Sequence, residues 1–171
     1  MASNPGKKVS CFIDVRSGGH IQEFLTSLGL EGYIEDPLER FAVASAEETY
    51  CPTGEFIVED MLGRLREFYT QSMKVGHTGA RVSGEMTWAL DRIPGSSRLV
   101  RYEALLNDVL VKYPVTVICQ YNVNFFDGAT LFDILSVHPM MIVHEQIVNN
   151  PYYIKAEEFL RRYDARKRKE I

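Results

Sequence analysis

At 171 residues the chain fits one domain large enough to bury a core. Hydrophobic residues make up 46%, which excludes a disordered chain, and the net charge of -4 argues against direct nucleic-acid binding. No apolar run reaches the length of a bilayer span and the N-terminus lacks the apolar core of a signal peptide, so no membrane partner and a cytoplasmic location are expected.

Met1 to Lys8 is polar, carries Pro5-Gly6 and reads as a loose start. Val9 to Val15 is a short apolar run of the kind that makes a buried strand, broken by Ser17-Gly18-Gly19. From His20 to Leu30, Ile21, Phe24, Leu25 and Leu28 recur at helical spacing, with Gly29 as the stop. Gly32 to Glu39 is irregular, and Arg40 to Ala46 forms a second strand before the polar cluster Glu47-Glu48-Thr49-Tyr50. Met61, Leu62, Leu65, Phe68 and Tyr69 mark one face of a long helix from Phe56 to Met73, ended by Gly76 to Gly79.

Ala80 to Ser83 is a third strand that turns at Gly84 and delivers Glu85 and the sole tryptophan, Trp88. Ser96 or Ser97 caps a helix running to about Lys112, whose Leu99, Tyr102, Leu106, Val109 and Leu110 face the core. Val115 to Cys119 is a fourth strand, followed by Gln120-Tyr121. Gly128 to Val137 reads as a helix, Met140 to Val143 as a fifth strand, and a last helix begins near Ala156. Its basic end, Arg161 to Lys169, fits a solvated helix terminus or the start of a linker.

Strands separated by helical patterns imply crossover units. The expected fold is α/β, with a mostly parallel central sheet of about five strands and helices on both faces. Ligands in such sheets bind beyond the carboxyl ends of the strands. Those ends carry Asp14, Glu48 with Thr49 and Tyr50, Glu85 with Trp88, Gln120 with Tyr121, and Glu145.

Each candidate has a plain structural alternative. Glu85 fits a base, a metal ligand or a ligand-facing acceptor, and equally a carboxylate capping the helix that follows. Trp88 fits a pocket wall or simple core. Cys119 with His138 is the pair to consider for a cysteine nucleophile, but Cys119 lies inside an apolar strand, where a thiol is usually structural. Cys11, Cys51 and Cys119 are odd in number and scattered, as in a reducing compartment. No Cys-x-x-Cys is present, and His138 and His144 flank a proline and a strand, so no metal is expected. Asp14 to His20 is a strand, a glycine turn and a helix start, a place that can hold an anion, yet it lacks the phosphate-loop pattern and its lysine.

Several motifs occur together and in order. They are Glu47-Glu48-Thr49-Tyr50, Gly84 to Leu90, Cys119-Gln120-Tyr121 with Phe126-Asp127-Gly128, His138-Pro139, and Asn150 to Tyr153 followed by Glu157 to Leu160. In this order they resemble the MEDS domain, the DcmR-like sensory domain of methanogens and methylotrophs, from about Lys7 to Leu160. The resemblance implies a RecA/KaiC-like sheet without a working phosphate loop, and a cytoplasmic input module of prokaryotic signal transduction. It further implies a small apolar or one-carbon ligand, no cofactor, and a histidine kinase, PAS or DNA-binding output module. No catalytic residue carries over. The motif positions give a candidate ligand rim of Glu48, Tyr50, Glu85, Trp88, Gln120, Tyr121 and Asp127.

Two departures from the family pattern stand out. The usual first strand and helix are missing before Val9, which leaves a sheet edge for a homo-oligomer to cover. No output module follows Ile171, so output is expected from a partner chain or a longer protein. The reading is a non-enzymatic sensor in which Trp88 and Tyr121 supply apolar walls while Glu85 and Gln120 orient a polar end of the ligand. A degenerate RecA-like ATPase or hydrolase using Glu85, and a structural oligomerisation module without ligand, stay open.

Overall fold

The computed structural model describes residues 6–13, 23, 26, 27, 29 and 40–169. The turn read at Asp14 to His20, most of the helix from His20 to Leu30, and the irregular stretch from Gly32 to Glu39 lie outside the described residues. Strands β1 (Lys8–Ile13), β2 (Phe41–Ser45), β3 (Ala80–Glu85) and β4 (Val115–Gln120) form a four-stranded sheet in the order β2-β1-β3-β4. Every pairing in it is parallel. The fold is therefore α/β, a parallel sheet flanked by helices, as the alternation of strand and helix patterns predicts. No helix among the described residues is long and apolar enough to cross a membrane.

Strand order fixes where polar groups gather. Both β2 and β3 pair with β1, so the chain steps to one side of β1 and then crosses to the other. That reversal lies between β1 and β3, and crevices beyond the carboxyl ends at such a point are where open parallel sheets bind ligands. All four strands end on the same edge because all run parallel.

Helix α1 (Ala46–Tyr50) follows β2 directly and is capped by Ser45, whose hydroxyl accepts the Glu48 amide at 3.3 Å. Helix α2 (Val58–Val75) carries Glu59 and Asp60 in its first turn, where the dipole favours negative charge. It stops at Gly76, which takes a left-handed conformation at φ 97. Its buried face presents Met61, Leu62 and Leu65, and α3 (Leu99–Lys112) presents Leu99, Tyr102, Leu106 and Val109. Strand β3 alternates, with Ala80, Val82 and Gly84 buried. These groups form one hydrophobic core with Tyr50, Phe56 and Trp88.

Helix α4 (Gly128–Ser136) is capped by Asp127, and α5 (Ala156–Lys167) ends the described chain. The basic end of α5 is a helix terminus anchored by ion pairs: Arg166 to Asp133 of α4, and Arg101 of α3 to Asp164 at 3.2 Å.

One expectation is corrected. The strand β5 (Met140–Val143) forms where expected but does not join the parallel sheet. It pairs antiparallel with β6 (Gln146–Asn149), a strand the sequence reading missed. The two-residue turn is His144-Glu145, and both residues have positive φ, 46 and 64. Such turns match the twist of a hairpin but usually advertise themselves by Asn-Gly or Asp-Gly. Here the residues hide the turn, so the sheet has four strands among the described residues, and Glu145 sits at a hairpin tip instead of on the strand-end rim.

Candidate functional site

Strands β3 and β4 end in register, so Glu85 and Gln120 stand side by side on the strand-end edge. Gln120 is exposed, and its Nε2 donates to Ser83 Oγ at 2.6 Å. Glu85 is half-buried, and its Oε1 accepts the Thr87 hydroxyl at 3.3 Å. The hydroxyl belongs to the 3-10 turn Thr87–Leu90 that Glu85 introduces. This is a local tie of the capping kind.

Behind this pair lies an aromatic nest. Tyr50, at the end of α1, stacks on Trp88 with ring centroids 4.9 Å apart. Phe56 tilts against Trp88 at 4.7 Å and meets Tyr102 edge-on at 5.6 Å. Tyr50 and Trp88 are each 3% exposed, so both belong to the core while sitting directly under the rim. Trp88 Nε1 is buried and has no hydrogen-bond partner among the described residues. A buried N–H of this kind costs about 1–3 kcal/mol. Backbone turns aim the nest: Gly95, at φ 83, passes so close to Phe56 that a β-carbon would overlap its carbonyl oxygen.

Glu48 lies exposed on α1. Asp127 is exposed at the start of α4, where its carboxylate accepts the Thr130 amide at 2.9 Å and the Thr130 hydroxyl at 2.7 Å. Those bonds from Thr130 lower its pKa. These bonds are those of a helix cap, so the structure joins Glu85, Gln120, Tyr50 and Trp88 into one neighbourhood more closely than it joins Glu48 or Asp127.

Tyr121 leads elsewhere, to a group the sequence reading missed. Glu103, on the buried face of α3, is 1% exposed. Its Oε1 accepts the Tyr121 hydroxyl, and its Oε2 lies 3.4 Å from Cys119 Sγ and 3.5 Å from His138 Nε2. The donor atoms of Glu103, Cys119 and His138 all lie within 4.8 Å of one another, so they are the described residues that could hold a metal ion. Burial pushes the Cys119 thiol and the Tyr121 hydroxyl well up, and the negative charge of Glu103 adds to both. The Cys119 and His138 considered together from sequence do share a site, but with Glu103 against both. Without a metal, Cys119 stays a thiol and is a poor nucleophile. The signal for Glu103 was present. It occupies the core stripe of α3, four residues after Leu99 and three before Leu106.

The sequence model of the MEDS family, described as the MEthanogen/methylotroph, DcmR Sensory domain, matches residues 4–139. The match takes in every rim residue and the whole Glu103 cluster. The chain is also similar to the transcriptional repressor DcmR of Methylorubrum extorquens, 30% identical over 80 residues. That alignment covers 46% of this chain and 30% of the repressor. No solved structure matches.

Proposed function

We propose that this chain, which belongs to the MEDS family, senses a small, largely apolar ligand on behalf of a signalling output. A sensing role comes with the family. The ligand class is a simple hydrocarbon derivative of the one-carbon kind, and the chain catalyses no reaction on it. The observation that carries the reading is the in-register pair Glu85 and Gln120 at the carboxyl ends of β3 and β4, one strand along from the strand-order reversal and backed by the Tyr50–Trp88 stack. A carboxylate and an amide offer hydrogen bonds to one polar end of a ligand, and the aromatic rings offer apolar contact.

In this proposal Trp88 and Tyr121 form the walls, Glu85 and Gln120 orient the ligand, and Glu48, Tyr50 and Asp127 complete the rim. Trp88 is already packed, so a ligand that touches it selects a looser arrangement of the nest, and binding acts by population shift. Output passes to a DNA-binding, PAS or histidine kinase module in a longer protein or on a partner chain, in the cytoplasm. The similar repressor is itself named a transcriptional regulator, which supports a DNA-binding output first.

The test is tryptophan fluorescence and native mass spectrometry against a panel of halogenated and methylated one-carbon compounds. A saturable change in Trp88 emission with a matching mass shift is expected, weakened by Gln120→Ala. No change in either readout across the panel would overturn the ligand class.

Assembly is a second reading, favoured by the exposed apolar hairpin. Met140 is 53%, Ile142 58% and Ile147 68% exposed. A homo-oligomer that covers them would appear as a concentration-dependent mass in light scattering.

A further inference from the structure

We propose that Glu103, Cys119 and His138 bind one transition-metal dication of the zinc class. The inference starts from a charge. The Glu103 side chain is fully buried, and a buried carboxylate must be paired, coordinated or neutralised. Among the described residues no lysine or arginine pairs with it; its neighbours are a tyrosine hydroxyl, a thiol and an imidazole.

His138 sharpens the point. Its Nδ1 lies 2.7 Å from the Ile134 carbonyl oxygen. A carbonyl only accepts, so Nδ1 carries a proton, and a neutral ring then turns the bare lone pair of Nε2 toward Glu103. A lone pair facing a carboxylate oxygen at 3.5 Å is unfavourable unless something positive lies between them. A metal ion is such a charge. The alternative is a proton held between the two groups.

Two of the three edges of the ligand set suit the metal, and the third, between Sγ and Nε2, lies within 4.8 Å and closes on binding. Bonds of about 2.0–2.3 Å in a tetrahedron put neighbouring ligand atoms roughly 3.3–3.8 Å apart. Oε2 lies 3.4 Å from Sγ and 3.5 Å from Nε2. Support around the ligands is also in place: the Ile134 carbonyl fixes the His138 tautomer and the Tyr121 hydroxyl holds Glu103. The three ligands come from α3, the end of β4 and the segment after α4, so the fold itself brings them together.

One nitrogen, one oxygen and one sulfur donor suit zinc, cobalt(II) or iron(II) better than calcium or magnesium. Three protein ligands leave a fourth position for water or a small ligand, unlike a closed structural site. On binding, the Cys119 S–H proton leaves to solvent and the sulfur becomes a thiolate ligand, with no change in oxidation state. The inference stands apart from the sensor reading. A chain that binds metal but no one-carbon compound, or the reverse, separates the two.

The experiment is a cobalt(II) titration of the chelator-stripped full chain, followed by displacement with zinc. The expected result is one cobalt per chain, with a sulfur-to-cobalt charge-transfer band and the intense visible bands of tetrahedral cobalt. Cys119→Ser should lose the charge-transfer band, and His138→Gln should lose stoichiometric binding. A variant carrying Cys11→Ser and Cys51→Ser together leaves Cys119 as the sole thiol and should keep the band, which tests the site even if Cys119→Ser fails to fold. Absence of stoichiometric binding in the unmodified chain would overturn the inference. A band lost from the double variant would overturn it equally.

Discussion

The hydroxyl of Tyr50 lies so close over Gly84 that any β-carbon at position 84 would overlap it, and Met86 Cε closes the other side at 3.1 Å. Glycine is therefore required for space at the point where β3 delivers Glu85. Gly84→Ala should destabilise the chain by about 1–3 kcal/mol, the usual cost of overpacking a filled core. Urea unfolding checks it. Tyr50→Phe removes the obstructing oxygen, so the cost of Gly84→Ala should shrink in that background. Equal costs in both backgrounds would show that the hydroxyl is not the obstacle.

Trp88 is the single tryptophan and is 3% exposed, ringed by Tyr50 and Phe56. Its emission should be blue-shifted and resist quenching by acrylamide until the chain unfolds. Trp88→Ala should cost about 3–5 kcal/mol, as expected for emptying an aromatic core position. Far-UV circular dichroism during denaturation gives the number without a tryptophan signal.

Asn150 explains a motif that the sequence offers without a reason. It is 6% exposed, and its Nδ2 donates to the carbonyls of Leu135 and His138 at 2.7 and 2.8 Å. Its Oδ1 accepts the Tyr152 amide at 2.9 Å. The side chain thus pins the end of α4 to the turn after β6. Asn150→Ala should cost about 1–3 kcal/mol through unsatisfied buried groups. Asn150→Asp should cost more near neutral pH, because a carboxylate would face two carbonyl oxygens. The gap between the two variants should narrow as the pH falls and the new carboxyl protonates. Thermal melts across that range measure it.

Much of this arrangement is legible in the sequence because it rests on local periodicity. Met61, Leu62 and Leu65 mark α2, and Val115 to Cys119 marks β4, since each period is set by the element itself. Parallel order follows from the alternation of strands and helices, and with it the meeting of Glu85 and Gln120. What stays hidden depends on partners far along the chain. The apolar residues of β5 say strand, but only the positive φ at His144 and Glu145 turns that strand into a hairpin. Glu103 stays hidden because a charged residue inside an apolar stripe looks like noise until Cys119, Tyr121 and His138 arrive from other elements.

The cysteines give a last prediction. Cys51 is 4% exposed at the end of α1, and its thiol is pushed up to about 11, first by burial and then by the charge of Glu47. Its folded pKa lies above the unfolded one, so the fold favours the neutral thiol. That contribution to stability is complete below the ordinary thiol range near ~8.5 and is lost as the pH rises toward about 11. Cys11 and Cys119 shift in the same direction, again through burial first. Near pH ~8 the metal-free folded chain should therefore alkylate with iodoacetamide more slowly than the same chain in urea, at all three positions. Peptide mass spectrometry resolves the sites. Cys51 reacting as fast when folded as when unfolded would mean that the end of α1 opens readily, and with it the aromatic nest that Tyr50 anchors.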